Sequence, residues 1–116
     1  MTIELATLTA LLIKHYYIDF VNQTLAEVYG KGIYGNLTGI WHSAKQGILT
    51  AIIFFNFTDP VNCVVVGLLD FMLHYHIDWF KRNYGNQDIQ NPKFWNHLGL
   101  DQLAHQLSYI LYVVYF

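Results

Sequence analysis

Apolar positions gather into four long stretches separated by short polar or glycine-rich breaks. The first runs from Ile3 to Val28 and ends at YGKGIYGN, where Gly30, Gly32 and Gly35 interrupt any helix. The second spans Leu37 to Phe57. The third follows Asp59-Pro60, a helix cap with proline in the first turn, and reaches Arg82. NYGNQDIQNPK then reads as a loop, and the fourth stretch covers Phe94 to Phe116. Spacing within the stretches is helical. Only VNCVVVGLL has a strand-like composition, and no hairpin chemistry borders it. Stretches of about 20 to 26 residues are long enough to cross a bilayer at about 1.5 Å per residue. The expectation is an all-α fold, one domain over residues 1–116, built as a four-helix transmembrane bundle. A soluble four-helix bundle with unusually aromatic helices is the competing architecture.

Composition strengthens the membrane expectation. Of the 116 residues, 54% are hydrophobic and only 12% charged, about half the charged share of an ordinary soluble domain. A net charge of −2 supplies no basic face for nucleic acid, which removes that class of partner. Cys63 is the one cysteine, so neither a disulfide framework nor a zinc ribbon is available; a small buried apolar role suits it. MTIELATLTALLIK lacks a basic leader and a small-residue cleavage site, and reads as part of a retained helix. Lys31 lies in the first break and Lys81, Arg82 and Lys93 flank the third, whereas the break at Thr58-Asp59 has no basic residue. The positive-inside tendency puts breaks one and three in the cytoplasm and both termini on the other side, with a bacterial inner membrane as the expected location. Trp41, Trp79 and Trp95 all fall near the cytoplasmic ends. With LSYILYVVYF at the opposite end, they fit interfacial aromatic belts.

Against this apolar background stand three histidine–aspartate pairs at a spacing of four: His15/Asp19 in HYYIDFVNQT, His74/Asp78 in HYHID and Asp101/His105 in DQLAH. Residues four apart share one helix face, so each pair offers an imidazole and a carboxylate together. His42 adds a further imidazole near the start of the second stretch. Counted from the nearest cytoplasmic break, all seven groups lie about 6 to 20 Å deep, in one half of the membrane. Antiparallel helices can therefore gather them at one level. A carboxylate near the bilayer centre costs about 2.5–3.5 kcal/mol on insertion scales, so the groups must satisfy one another or a cation. A single pair reads as interhelical hydrogen bonding; three pairs and His42 at a common depth point to a functional site. In that reading His15, Asp19, His74, Asp78, Asp101 and His105 are metal ligands, and His42 is a ligand or the catalytic acid/base. The cofactor is a divalent metal, with zinc first and manganese or iron open, because mixed imidazole and carboxylate ligands suit several ions. Seven groups are enough for two ions, an arrangement suited to phosphoester hydrolysis.

HYYIDFVNQT, the single His42, HYHIDWFK and DQLAHQL, in that order, resemble the family of domain of unknown function 3307, with bacterial and phage members. The resemblance covers His15 to His105 and implies a small integral membrane protein. It carries over His15, Asp19, Gln23, His42, His74, Asp78, Lys81, Asp101, Gln102 and His105 as motif positions, and brings no established activity. The pattern is loosely similar to membrane-bound metal-dependent hydrolases. Ile18 departs from it, standing where the family often has a small residue.

Gln23 and Gln102 are expected to orient carboxylates around the ligands. Lys81, three residues after Asp78, sits at the cytoplasmic edge, where it can snorkel or meet a phosphate. His76 points about 160° away from the His74/Asp78 face and is left out of the site; His97 lies near a loop. Asp70 shares the face of His74 one turn deeper, and is open to joining the cluster or pairing with Lys14 or Lys45. The expected function is a membrane-embedded metal-binding protein, a metal-dependent hydrolase acting on a phosphoester or lipid-linked substrate. The alternatives are a phage-encoded modulator that binds a host membrane protein, its cluster structural, and a proton or ion path. Membrane lipids, a host membrane protein and a homo-oligomer are the partners in view.

Overall fold

A computed structural model describes residues Met1–Phe116 and is all helical. Helix α1 (Ile3–Tyr16) is capped by Thr2, whose hydroxyl accepts from Leu5 N, and continues without a break into a π-helical segment over Tyr17–Asn22. A short helix α2 (Leu25–Gly30) follows, then α3 (Leu37–Phe54), α4 (Pro60–Tyr84) and α5 (Pro92–Tyr115). Proline occupies the first turn of α4 behind the Asp59 cap, as expected, and likewise starts α5 behind Asn91, two residues before the expected Phe94.

The first apolar stretch is not one helix. Gln23 leaves the helical region, and Thr24 starts α2 with a reciprocal capping box: its hydroxyl accepts from Glu27 N and Glu27 Oε2 accepts from Thr24 N at 2.7 Å. The Thr24-x-x-Glu27 spacing carries that signal in the sequence, hidden inside an apolar run.

The four long segments pack cyclically in the order α1, α3, α4, α5, with α2 lying on α3. The closest seam is α3–α4, where Gly47 meets Gly67. A Cβ on Gly47 would lie 2.5 Å from the Gly67 carbonyl oxygen and 2.8 Å from Phe71 Cβ. Gly47→Ala should therefore push the helices apart and destabilise the fold by about 1–3 kcal/mol. Gly99→Ala meets nothing within 4 Å and should be neutral or slightly stabilising. Thermal unfolding of the two variants in one detergent checks the contrast.

The interior is polar and the exterior apolar. Eight hydrophobic residues are buried against fifteen polar or charged ones, while Leu37, Leu25 and Val61 are 80%, 75% and 72% exposed. A soluble domain distributes these types the other way. By length and composition α4 qualifies as a membrane-crossing helix; the other helices do not meet that measure. An apolar cluster of Leu11, Phe54, Cys63, Val66, Tyr109 and Tyr112 closes the end of the bundle nearest the chain termini, with Cys63 in the small buried role its sequence suggests.

Candidate metal centre

All seven histidine and aspartate groups face the bundle axis and are buried, none more than 6% exposed. The π-helical segment helps on α1. Its wider turn keeps both His15 and Asp19 on the interior, with His15 Nε2 3.4 Å from Asp19 Oδ2. Ile18, also buried, packs next to Asp19. α3 contributes His42, α4 contributes His74 and Asp78, and α5 contributes Asp101 and His105.

Three groups of ligand atoms form: the imidazoles of His15, His74 and His105, and two mixed groups of imidazole and carboxylate that are joined by one carboxylate. In the first mixed group, His42 Nε2 is 2.9 Å from Asp19 Oδ1 and 3.5 Å from Asp78 Oδ2; His74 Nε2 is 3.3 Å and 3.1 Å from the same two oxygens. In the second, His105 Nε2 is 3.1 Å from Asp78 Oδ1 and 3.5 Å from Asp101 Oδ1. Asp78 thus turns one oxygen to each mixed group. Neither ring nitrogen of His74 makes a hydrogen bond, nor does Asp101 Oδ1, and Asp78 Oδ2 meets an ammonium, that of Lys31, without a hydrogen bond of its own. Buried polar atoms are normally satisfied. These are close together yet misaligned for hydrogen bonding, and their separations match the roughly 3–3.5 Å between neighbouring ligand atoms on a metal with bonds of about 2.0–2.2 Å.

His15 has a different setting. Its Nε2 donates to Gln102 Oε1 at 2.9 Å, and its Nδ1 accepts from the Tyr109 hydroxyl at 2.8 Å. Both ring nitrogens are occupied, although the ring lies 4.7 Å from that of His105. Gln102 also donates to Asp101 Oδ2 at 3.0 Å, in the orienting role expected of it. Gln23 does not orient a carboxylate: its amide donates to the Asp19 backbone carbonyl at 3.0 Å, satisfying an oxygen left free where the helix ends. Lys81 reaches Asp101 Oδ2 at 3.4 Å and is partly exposed. His76 lies outside the cluster and meets Tyr34; His97 Nδ1 accepts from Asn86 N in the α4–α5 loop.

Three contributors have no counterpart among the residues expected from sequence. Gln46 donates to Asp19 Oδ1 at 2.9 Å. Lys31, from the glycine-rich break, turns inward to Asp78 Oδ2 at 3.1 Å. Burial alone would lower its ammonium pKa, but the carboxylates of Asp78 and Asp19 outweigh burial and hold it above the ordinary lysine value. Glu27 lies 3.5 Å from His42 Nδ1 and pairs with Lys45. Burial raises its carboxyl pKa, and the hydrogen bonds from Lys45 and Thr24 more than reverse that, leaving it below the usual carboxylate value.

One turn towards the termini lies a second polar layer. Lys14 Nζ sits 2.9 Å from Asp70 Oδ2, with Thr50 and Tyr109 around it, so Asp70 pairs with Lys14 and not with Lys45. Across both layers four lysines each face one buried carboxylate: Lys14 with Asp70, Lys31 with Asp78, Lys45 with Glu27 and Lys81 with Asp101. Asp19 makes its direct ion-pair contacts with imidazoles, those of His15, His42 and His74. Asp19 stands with His42, His74 and Asp78 in one group of ligand atoms.

Neither a curated protein nor a solved structure matches this chain. The family model described as "Protein of unknown function (DUF3307)" matches residues 7–116, which take in every side chain of both polar layers, and the chain belongs to that family.

Proposed function

We propose that the protein is an integral membrane metalloprotein whose centre hydrolyses a phosphoester. The carrying observation is the convergence of Asp19, His42, His74 and Asp78 at ligand-like separations with ring and carboxylate atoms left without hydrogen bonds. In this reading Asp19, His42, His74 and Asp78 hold one divalent ion, and Asp78, Asp101 and His105 hold a second. Asp78, common to both groups, would be shared between them, and His42 would be a ligand. His15 acts from behind, fixed by Gln102 and Tyr109. Two divalent ions held by these residues would supply an activated water and stabilisation of the departing oxygen for phosphoester hydrolysis. Zinc remains the first choice, with manganese and iron compatible with the same ligands. Elemental analysis of protein purified without chelator tests this: about one to two equivalents of a transition metal is the expected result, and less than about a tenth of an equivalent overturns it.

The membrane assignment rests on the inverted distribution of polar and apolar residues. The cluster and the basic residues Lys31, Lys81, Arg82 and Lys93 share one end of the bundle, which supports a cytoplasmic site in a bacterial inner membrane. Alkaline carbonate washing should leave the protein in the membrane pellet; release into the supernatant would overturn the assignment.

A proton path is the reading to weigh against a metal centre, because hydrogen bonds link His15 through Tyr109 and Lys14 to Asp70 and Tyr112. That chain ends against the apolar cluster of Leu11, Phe54, Cys63 and Val66. A blind polar chain serves a buried centre better than it serves conduction across the bundle.

A further inference from the structure

Two cavities meet at Lys81. One is a groove of about 540 Å³ along the outer face of the α4–α5 seam, walled by Leu73, Ile77, Phe80, Leu100 and Ala104, with Asp101 and Lys81 on its inner side. The other, about 180 Å³, lies at the loop end of the bundle and is lined by Lys31, Lys81 and Arg82 with the amides of Gln23, Asn86 and Gln87. Both Lys31 and Lys81 also touch the centre, at Asp78 and Asp101. Arg82 faces no carboxylate; it donates to Gln87 Oε1 at 2.7 Å and lies over the Tyr29 ring. Three cations thus surround a small polar cavity, and an apolar channel large enough for part of a hydrocarbon chain leads away from it along the helices. The two halves call for opposite chemistry, an anion and an alkyl chain, joined in one molecule.

We propose that this composite site binds a lipid with a phosphate headgroup, the phosphate among Lys31, Lys81 and Arg82 and one chain along the α4–α5 groove. This rests on the metal-centre reading for its catalytic meaning, since it sets the phosphoester beside Asp78 and Asp101. As a binding site it stands without it. The lateral opening lets such a lipid enter from the bilayer without leaving it, and charge complementarity decides against a zwitterionic or sterol occupant. Arg82, the one of the three cations that faces no carboxylate, favours an anionic headgroup by about 1 kcal/mol, about fivefold, while Lys31 and Lys81 supply hydrogen-bond donors from their pairs with Asp78 and Asp101.

The test titrates dioleoyl phosphatidic acid into wild-type protein held in phosphatidylcholine nanodiscs, and counts bound lipid by native mass spectrometry. Metal content is measured on the same samples. Phosphatidic acid should be retained about fivefold more tightly than phosphatidylcholine. Arg82→Gln should weaken it about fivefold. Ala104→Phe, which fills the groove, should weaken it while the metal content stays at the wild-type level. Should Ala104→Phe unfold, Leu100→Ala supplies the groove readout by altering the preference for chain length. Equal retention of the two lipids overturns the proposal, and so does glycerol phosphate binding as tightly as the whole lipid, which would leave the groove without a role. Selective phosphatidic acid binding by a metal-free protein supports the lipid site and overturns the metal centre. Metal without lipid selectivity does the reverse.

Discussion

Asp78→Asn is expected to lower metal affinity by at least about a hundredfold, the upper end of what loss of a group merely supporting a ligand costs. Asp78 is the one side chain whose two oxygens serve both mixed groups of ligand atoms, Oδ2 towards His42 and His74 and Oδ1 towards His105. An amide keeps the shape, gives up the charge and replaces one oxygen by a donor that repels a cation. It also leaves the Lys31 ammonium, 3.1 Å away, without its partner. The histidines should then separate into classes. His74 has no hydrogen bond at either ring nitrogen, so its whole coordinating capacity is free for an ion, and His74→Ala should lose metal nearly as completely as Asp78→Asn. Both nitrogens of His15 are engaged by Gln102 and Tyr109, and His15→Ala should retain most of the metal. His76→Ala, outside the cluster, should retain all of it. Metal-to-protein ratios across the four variants provide the readout. A His15→Ala loss equal to that of His74→Ala would reject the assignment of the ions to these groups.

That ranking shows where sequence reasoning stops. Spacing of four along a helix brings the three pairs inward, and depth counted from the breaks places them at one level, because both follow from the helix repeat alone. The cap at Asp59-Pro60 is local and equally legible. Which partner each imidazole takes depends on rotation between helices, which no single-helix periodicity encodes. His42 and His15 accordingly differ in setting: His42 gathers with Asp19, His74 and Asp78, and His15, which gathers with His74 and His105, has both ring nitrogens engaged by Gln102 and Tyr109. Lys31 and Glu27 escape for a different reason. Glu27 lies in the first turn of the short α2 and Lys31 just past its end, and a lysine among glycines at a predicted loop is an orientation marker until tertiary packing turns it onto Asp78. The π-helical segment and the break at Gln23 are masked by the continuous apolar run, although Thr24-x-x-Glu27 records the second helix start. Asp70 finds Lys14 because the two elements face one another across the bundle, a relation not readable from either sequence neighbourhood.

The Lys14–Asp70 pair yields the largest expected change in stability. Its two side chains are 3% and 2% exposed, and Lys14 Nζ also contacts Thr50 at 2.9 Å and the Tyr109 hydroxyl at 3.4 Å. Asp70→Leu removes the carboxylate that accepts from Lys14, Thr50 and Tyr112 and strands the ammonium in the interior. Removing one member of a buried pair costs about 3–5 kcal/mol, because the remaining charge has neither water nor counter-ion. Lys14→Met strands the carboxylate instead, though Thr50 and Tyr112 continue to donate to it, and its cost should be the smaller of the two. The double variant removes both charges and should recover most of the loss, since an apolar pair of similar volume replaces a buried ion pair at little net cost. A thermal-unfolding cycle in one detergent, with metal content followed in parallel, measures this directly. The pair lies a turn away from the ligand groups, so the double variant should keep its metal while the single Asp70→Leu loses fold and metal together. Additive single-variant losses would show that the pair does not act as a unit, and metal loss in a stable double variant would make the Lys14 layer part of the centre.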